Sequence, residues 1–154
     1  MAVVRVPDDL LVHLRRARDL ADRCYAEPLD LHVLAAAAGV SRFHFLRCFD
    51  ATYGVTPARY LAERRIERAQ DLLRATNLTV TEVCHLVGYT SLGSFSSRFR
   101  ELVGVSPSAY QARFAATGVP RIPGCYVFMH GLSDRARGAA DRAIAEKPPA
   151  GVRP

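Results

Sequence analysis

The feature that most constrains this chain is an internal repeat that covers residues 31–65 and 80–114. The two segments carry the same residue types at corresponding places. The offset is 49 residues for the first glycine pair and 50 for the others, so one extra residue lies between Gly88 and Phe99. Because similarity at a fixed offset indicates that one supersecondary unit was duplicated, we expect two copies of one local fold. The corresponding pairs are Gly39 and Gly88, Phe49 and Phe99, Gly54 and Gly104, Pro57 and Pro107, and Tyr60 and Tyr110.

Turn and capping residues divide each copy of the repeat into helices. In each copy a short helix ends at a glycine, a second helix ends at another glycine, and a third begins at a proline. Glycine adopts positive φ after a helix end at no steric cost, while Ser, Thr and Pro favour the first helical positions. Thr79 and Glu82 add a capping-box pattern. The pattern predicts an all-α, seven-helix chain without strands in 10–116, with helices at 10–25, 31–38, 41–53, 57–75, 80–87, 91–103 and 107–116.

These elements predict one domain with short flanking segments. Residues 1–9 form an N-terminal extension, and residues 10–116 form two similar units, at about 31–54 and 80–104, joined by the long helix 57–75. Glycine and proline residues then break the chain at positions 118–124. In the tail of 117–154 we expect a short apolar run at 125–129, a polar helix at 133–146 and a disordered end at 147–154. The tail has no role that its sequence indicates.

Composition and charge narrow the class of protein. The chain is 49% hydrophobic and 23% charged, as in ordinary globular domains. Its net charge of +6 weakly favours an acidic partner such as nucleic acid. Nearly all of the positive charge is arginine, since Lys147 is the sole lysine, and we attribute most of this bias to a GC-rich genome. No apolar run approaches the ~18 residues of a membrane span, and Asp8 and Asp9 interrupt the region where a secretory peptide needs an apolar core. We therefore expect a cytoplasmic protein.

The cysteines show no metal-binding or catalytic spacing. Without a C-x-x-C pair, and in a reducing compartment, we expect them to be packed thiols, with redox sensing as the less favoured alternative. No metal and no cofactor are expected. The four cysteines are Cys24, Cys48, Cys84 and Cys125.

Each copy of the repeat is interpreted as a helix-turn-helix, whose second helix enters the DNA major groove. In the first copy, Phe45, Cys48 and Phe49 share one face of the second helix at spacing i, i+3, i+4. An outward phenylalanine and leucine suit thymine methyl groups, and an arginine can bind guanine with two hydrogen bonds. The alternative is that Phe43 or Leu46 packs on a neighbouring helix. The outward or flanking residues of this helix are Arg42, Phe43, His44, Leu46 and Arg47.

The second copy is predicted to discriminate base sequence less than the first. Phe95, Phe99 and Leu102 form its buried stripe. The outward residues near the start of this helix are small or hydroxylated and approach bases closely but have little reach. Arg98 and Arg100 are candidates for phosphate contacts, with a merely solvated surface as the alternative of about equal weight. The candidate DNA-binding residues are Ser91, Leu92, Gly93, Ser96, Ser97, Arg98 and Arg100.

The helix 57–75 sets the separation of the two recognition helices, which are the second helices of the two units. At ~1.5 Å per residue, a helix of this length is roughly 28 Å long, whereas successive major grooves on one face of B-DNA lie ~34 Å apart. If the units are held rigidly, the DNA must bend modestly, at a cost of a few kcal/mol.

These residues together resemble the arabinose-regulator (AraC/XylS) transcription factors. The resemblance covers about residues 10–116. It implies a seven-helix domain with two helix-turn-helix units in adjacent major grooves, and activation through contact with RNA polymerase. The residues that carry it are Arg65-Ile66-Glu67-Arg68-Ala69, Leu72-Leu73, Val83, Gly88-Tyr89, Ser91, Phe95, Phe99-Arg100, Gly104, Ser106-Pro107 and Tyr110.

Carried over position by position, the resemblance places base contacts of the first unit at Phe43, Leu46 and Arg47, and those of the second at Leu92, Gly93, Ser96 and Ser97. Family members often have arginine two residues before the phenylalanines that correspond to Phe49 and Phe99. Arg47 fits this pattern, whereas Ser97 departs from it. The position of Cys84 is often alanine in the family, which favours a packing role for that thiol.

The chain also resembles short members of the family that lack a sensor domain. Only about nine residues precede the first helix. We therefore expect no small-molecule effector pocket, and we expect the chain to bind double-stranded DNA as a monomer.

Two other classes of function compete with a DNA-binding regulator. A protein-binding module would use the tail and exposed Phe43 and Leu46, and its binding would depend little on salt. An enzyme is strongly disfavoured because His44 and His85 lack a partner constellation, His130 lies in the tail, and no phosphate-binding loop or acid pair is present.

Overall fold

The helices form where capping and periodicity predict them. The structure is a computed structural model that describes residues 5–118 and 120–125. Within those residues it contains seven helices and no named strand, and the predicted bounds agree to within two residues. The predicted features of 126–154 lie outside the described residues. The helices are α1 (Asp8–Arg23), α2 (Leu31–Ala37), α3 (Arg42–Tyr53), α4 (Pro57–Ala75), α5 (Val80–Leu86), α6 (Leu92–Val103) and α7 (Pro107–Ala115).

Side-chain caps fix the helix starts in both units. The Ser41 and Ser91 hydroxyls accept hydrogen bonds from the third backbone N–H of α3 and α6, at 3.3 Å in each case. Thr79 and Glu82 form the predicted capping box. Each such cap satisfies an orphan N–H at the helix end and stabilises it by about 1 kcal/mol.

The turn between the two helices of each unit has the same hydrogen-bond pattern. After α2, the N–H of Val40 donates to the Ala35 carbonyl and that of Gly39 to Ala36. After α5, Tyr89 and Gly88 repeat both bonds. This is the Schellman motif, which requires a left-handed residue, and the φ values of Gly39 and Gly88 are 69° and 97°. The duplicated sequence therefore folds as two copies of one turn.

Aromatic rings form the core of each unit in the same arrangement. The Phe49 ring meets Tyr60 edge-on at 5.7 Å, and Phe99 meets Tyr110 edge-on at 5.5 Å. Phe45 and Phe95 are fully buried beside them. The start of α4 therefore covers the first unit in the way that α7 covers the second, and α4 packs against helices of both units. The buried face of α4 consists of Leu61, Ile66, Ala69, Leu72 and Leu73.

Burial of the cysteines differs partly from the expectation of packed thiols. Cys48 and Cys84 are buried, and burial raises the pKa of Cys84. Cys24 is half-buried because it caps α1 instead of lying inside it. The expectation is wrong for Cys125, which is exposed because its segment runs over the surface after α7.

The first residues of the tail bind back to the joint between α4 and α5. The Arg121 guanidinium donates to the Leu73 carbonyl at 2.6 Å, and the N–H of Ile122 donates to the Ala75 carbonyl at 2.9 Å. The N–H of Asn77 donates in turn to Ile122, which makes an isolated bridge beside Thr76. Residues 121–122 thus stabilise the end of the linker helix.

Candidate nucleic-acid interface

The second helix of the first unit buries one face and leaves the opposite face open. Phe45, Cys48 and Phe49 are buried as predicted. Phe43 is 74% exposed, so the alternative that it packs on a neighbouring helix is wrong. Leu46 is half-buried. The predicted contact residues Arg42, His44 and Arg47 are exposed.

The open face of α3 groups three side chains. Phe43, Leu46 and Arg47 lie at spacing i, i+3, i+4 and are therefore neighbours on the helix surface. The Arg42 guanidinium lies 5.9 Å from the centre of the Phe43 ring. Arg47 makes no ion pair within the described part of the chain. This face offers an apolar edge beside an unpaired cation, which suits contact with a base edge and a phosphate.

The second helix of the second unit has a smaller open face. Gly93 and Ser97 are exposed and Ser96 is half-buried. Leu92 is 43% exposed. A Cβ added at Gly93 would meet only the Ser91 hydroxyl at 3.7 Å, so open space lies over this position. The stripe of Phe95 and Phe99 is confirmed, whereas Leu102 is half-buried because it lies at the edge of the stripe.

The two arginines of α6 differ in their availability. Arg98 pairs with Glu101 at 2.9 Å, one turn away on the same helix. Arg100 is exposed and makes no ion pair with any described residue. An exposed pair of this kind is worth under about 1 kcal/mol, so a phosphate could displace Glu101, but Arg100 is available without that exchange.

A half-buried arginine that sequence reasoning missed lies between the two units. Arg65 of α4 donates from Nε to the Tyr25 carbonyl at 2.6 Å and from Nη2 to the Glu27 carbonyl at 2.8 Å. Burial lowers the pKa of Arg65. A signal was available, because Leu61, Arg65 and Ala69 recur every four residues on the buried face of α4.

The linker helix is also tied to α1. Asp22 Oδ1 accepts hydrogen bonds from the Tyr60 hydroxyl and from Arg64 Nε, both at 2.7 Å. Burial, followed by the bond to Asp22, raises the pKa of Tyr60 to about 12. Because α1 packs on α2 and α3, we count α1 and the loop after it with the first unit, which these bonds hold on the linker helix.

Comparison with known proteins agrees with this arrangement. The family model described as a helix-turn-helix domain matches residues 34–113. A solved structure described as a transcriptional regulator with an AraC-type DNA-binding domain, from Chromobacterium violaceum, is similar with a TM-score of 0.62 and 30% identity, over 70% of this chain and 96% of that one. The chain belongs to the AraC-type helix-turn-helix family.

Two further comparisons bear on the site. The DNA-binding domain of AdpA, a global transcriptional factor solved in complex with a target DNA, has a TM-score of 0.66 and 33% identity, over 69% of this chain and 96% of that one. The MmsAB operon regulatory protein of Pseudomonas aeruginosa is 39% identical over 85 residues, which are 55% of this chain and 28% of that protein. The match thus spans under a third of that curated relative.

No described helix has the length and apolarity to cross a membrane.

Proposed function

We propose that this AraC-type chain is a sequence-specific transcription regulator that binds double-stranded DNA through α3 and α6. The observation that carries the proposal is the duplication of one helix-turn-helix in which each second helix keeps an open face. The proposed contact residues are Arg42, Phe43, His44, Leu46 and Arg47 on α3, and Leu92, Gly93, Ser96, Ser97, Arg98 and Arg100 on α6, with Ser91 as its cap. Among them Arg98 is half-buried at the flank of α6, at the position that corresponds to buried Cys48.

The two units have different parts in this proposal. The first unit specifies sequence, since Arg47 has the reach for a guanine and Phe43 offers apolar surface to a thymine methyl group. The second unit chiefly anchors, because Gly93, Ser96 and Ser97 are short and Arg100 is free to bind a phosphate. The finding that the AdpA domain was solved on a target DNA supports this use of the fold.

The linker helix gives the proposal its geometry. Because α4 is roughly 28 Å long and adjacent major grooves lie ~34 Å apart, we propose that bound DNA bends modestly toward the protein. Both units belong to one chain, so one monomer fills both half-sites. We also propose that the protein contacts RNA polymerase and that it acts in the cytoplasm.

Salt dependence distinguishes this function from a protein-binding module. A duplex selected by the full chain from random DNA is labelled, and its affinity is measured by fluorescence anisotropy. If about six phosphates are contacted, affinity falls by about a thousandfold between roughly 50 and 200 mM salt, because condensed counterions are released. Affinity that ignores salt, or selection that returns no sequence preference, contradicts the proposal. The first of those results favours a protein partner for exposed Phe43.

A further inference from the structure

The two helix-turn-helix units share a second connection besides the linker helix. It forms where the α1–α2 loop of the first unit meets the α5–α6 turn of the second unit. Arg65 reaches from α4 into this place and binds the Tyr25 and Glu27 carbonyls. We call this place, made of Tyr25–Glu27, Arg65 and Gly88-Tyr89, the inter-unit joint.

The same guanidinium contacts the second unit. Its central carbon lies 5.6 Å from the centre of the Tyr89 ring, a geometry in which a cation is attracted to the face of the ring. Tyr89 packs in turn on Phe95 of α6, with ring centres 5.5 Å apart. Arg65 therefore links a loop of the first unit to the core beneath the second recognition helix through one side chain.

The backbones of the two units also touch at the joint. A Cβ added at Gly88 would lie 2.9 Å from both the Cα and the carbonyl oxygen of Ala26. The corresponding glycine of the first unit, Gly39, has nothing within 4 Å of such an atom. Glycine at 88 is thus required twice, for its φ of 97° and for this close approach. The contact is specific to the joint and is not a property of the repeated turn.

The joint restrains a motion that the linker helix alone would permit. Each unit packs on its own part of α4, so a bend or twist of that helix would turn one unit relative to the other. Contacts displaced from the helix axis oppose this turning, and a planar guanidinium that donates to two fixed carbonyls tolerates little rotation. The relative orientation of α3 and α6 then depends on Arg65 as well as on the packing of both units on α4.

We propose that Arg65 is a positioning residue for DNA recognition, which through the inter-unit joint fixes the distance between half-sites that the chain accepts. The inference rests on the proposed function. One added base pair moves a half-site by about 3.4 Å along the DNA and by roughly 35° around it, since a turn of ~34–36 Å contains 10–10.5 base pairs. If α3 and α6 are held rigidly, they lose contacts on such a site. If they can turn relative to each other, they keep those contacts.

The test compares spacing profiles, by which we mean the DNA affinity of a chain as a function of the distance between the two half-sites. The duplex selected by the full-length wild-type chain is remade with one or two base pairs added to or removed from the region between its footprinted half-sites. Wild-type affinity is expected to fall by about tenfold for each single change, the equivalent of one good base contact. Arg65→Lys keeps the charge but cannot bind both carbonyls and the ring as a planar fork. It is expected to bind the original duplex about fivefold more weakly and to lose less than about threefold on each single spacing change.

Controls separate positioning from charge and from folding. Arg74→Lys is the matched variant, because Arg74 is exposed on the same helix and pairs with Asp71. It is expected to keep the steep wild-type profile. Tyr89→Leu removes the ring and leaves Arg65 in place, and it should flatten the profile if Arg65→Lys fails to fold. Circular dichroism reports folding for each chain.

The outcomes distinguish the inference from the function beneath it. If wild type selects no duplex, the proposed function fails. If wild type binds with a steep profile and folded Arg65→Lys and Tyr89→Leu keep that profile, the function stands and the positioning role is overturned. An equal loss of affinity on every spacing would also overturn it, because that result reports weaker anchoring without a change in geometry.

Discussion

The Tyr60 hydroxyl donates a 2.7 Å hydrogen bond to Asp22 and so joins the linker helix to α1. Burial of Tyr60, together with this bond, makes the stability of the first unit depend on pH. Burial and this bond raise the pKa of Tyr60 to about 12, above its ordinary value of about 10. The stabilisation is therefore complete below pH 10 and is lost as pH rises toward 12.

Tyr60→Phe is expected to lower the free energy of unfolding by about 1 kcal/mol at neutral pH. The difference from wild type should shrink above pH 10. There the phenol of the unfolded wild-type chain ionises, which lowers the free energy of unfolding of wild type but not of the variant. Urea titrations at several pH values measure it. Tyr110→Phe is the control, because Tyr110 packs on Phe99 in the same edge-on way. A constant difference up to pH 11.5 would contradict the assignment.

The two Schellman glycines provide a second prediction. Gly39→Ala should lower the free energy of unfolding by about 1–2 kcal/mol, because alanine is strained in the left-handed conformation. Gly88→Ala should cost clearly more, because its Cβ would also collide with the Ala26 backbone, which cannot rotate away. Chemical unfolding of both variants checks the order. Equal losses would show that Gly88 and Ala26 are not in close contact in solution.

Much of the fold is predictable because its signals are local. Ser41, Gly54 and Pro57 act within their own turns, and Phe45, Cys48 and Phe49 are placed by helical spacing alone. The repeat then supports each assignment with a second copy. The open face of α3 follows as the remainder of the helix once its buried face is known.

The contacts that connect the units were not predictable in this way. Arg65 finds its acceptors on backbone carbonyls 38 and 40 residues away, and a carbonyl has no side-chain signature. Arg121 likewise bonds to the carbonyl of Leu73. Gly88 looked equivalent to Gly39 in sequence, and only the packing of Ala26 distinguishes them.

The segment after α7 is expected to stabilise the domain. Arg121→Met removes the 2.6 Å bond to the Leu73 carbonyl. The loss should be about 1 kcal/mol, since Arg121 Nε is buried without a partner in the described chain and already offsets part of the gain. Arg113→Met, exposed on α7, is the control and should leave the free energy of unfolding unchanged within ~0.5 kcal/mol. Matching values for the two variants would exclude this role for 121–122.

Arginines of the two units should affect DNA binding differently. Arg47→Ala is expected to cost ~1–3 kcal/mol and to relax the preference at one base pair, whereas Arg100→Ala should weaken all sequences alike and lower the salt slope by about one. Competition assays with single base-pair variants of the selected duplex separate the two effects. If Arg47→Ala leaves the preference intact, the first recognition helix is wrongly placed on DNA.

Phe43 provides the sharpest contrast between folding and binding, because it and Phe45, two residues further along α3, have opposite environments. Phe43 is 74% exposed, while Phe45 on the same helix is fully buried. Phe43→Ala should leave the free energy of unfolding within ~0.5 kcal/mol of wild type, yet reduce affinity for the selected duplex by roughly tenfold through lost apolar contact. Phe45→Ala should instead lose about 3–5 kcal/mol of stability. Thermal unfolding and anisotropy on the same preparations give both quantities. If Phe43→Ala binds DNA as wild type does, its exposed ring does not contact the duplex, and a protein partner for that face becomes the better explanation.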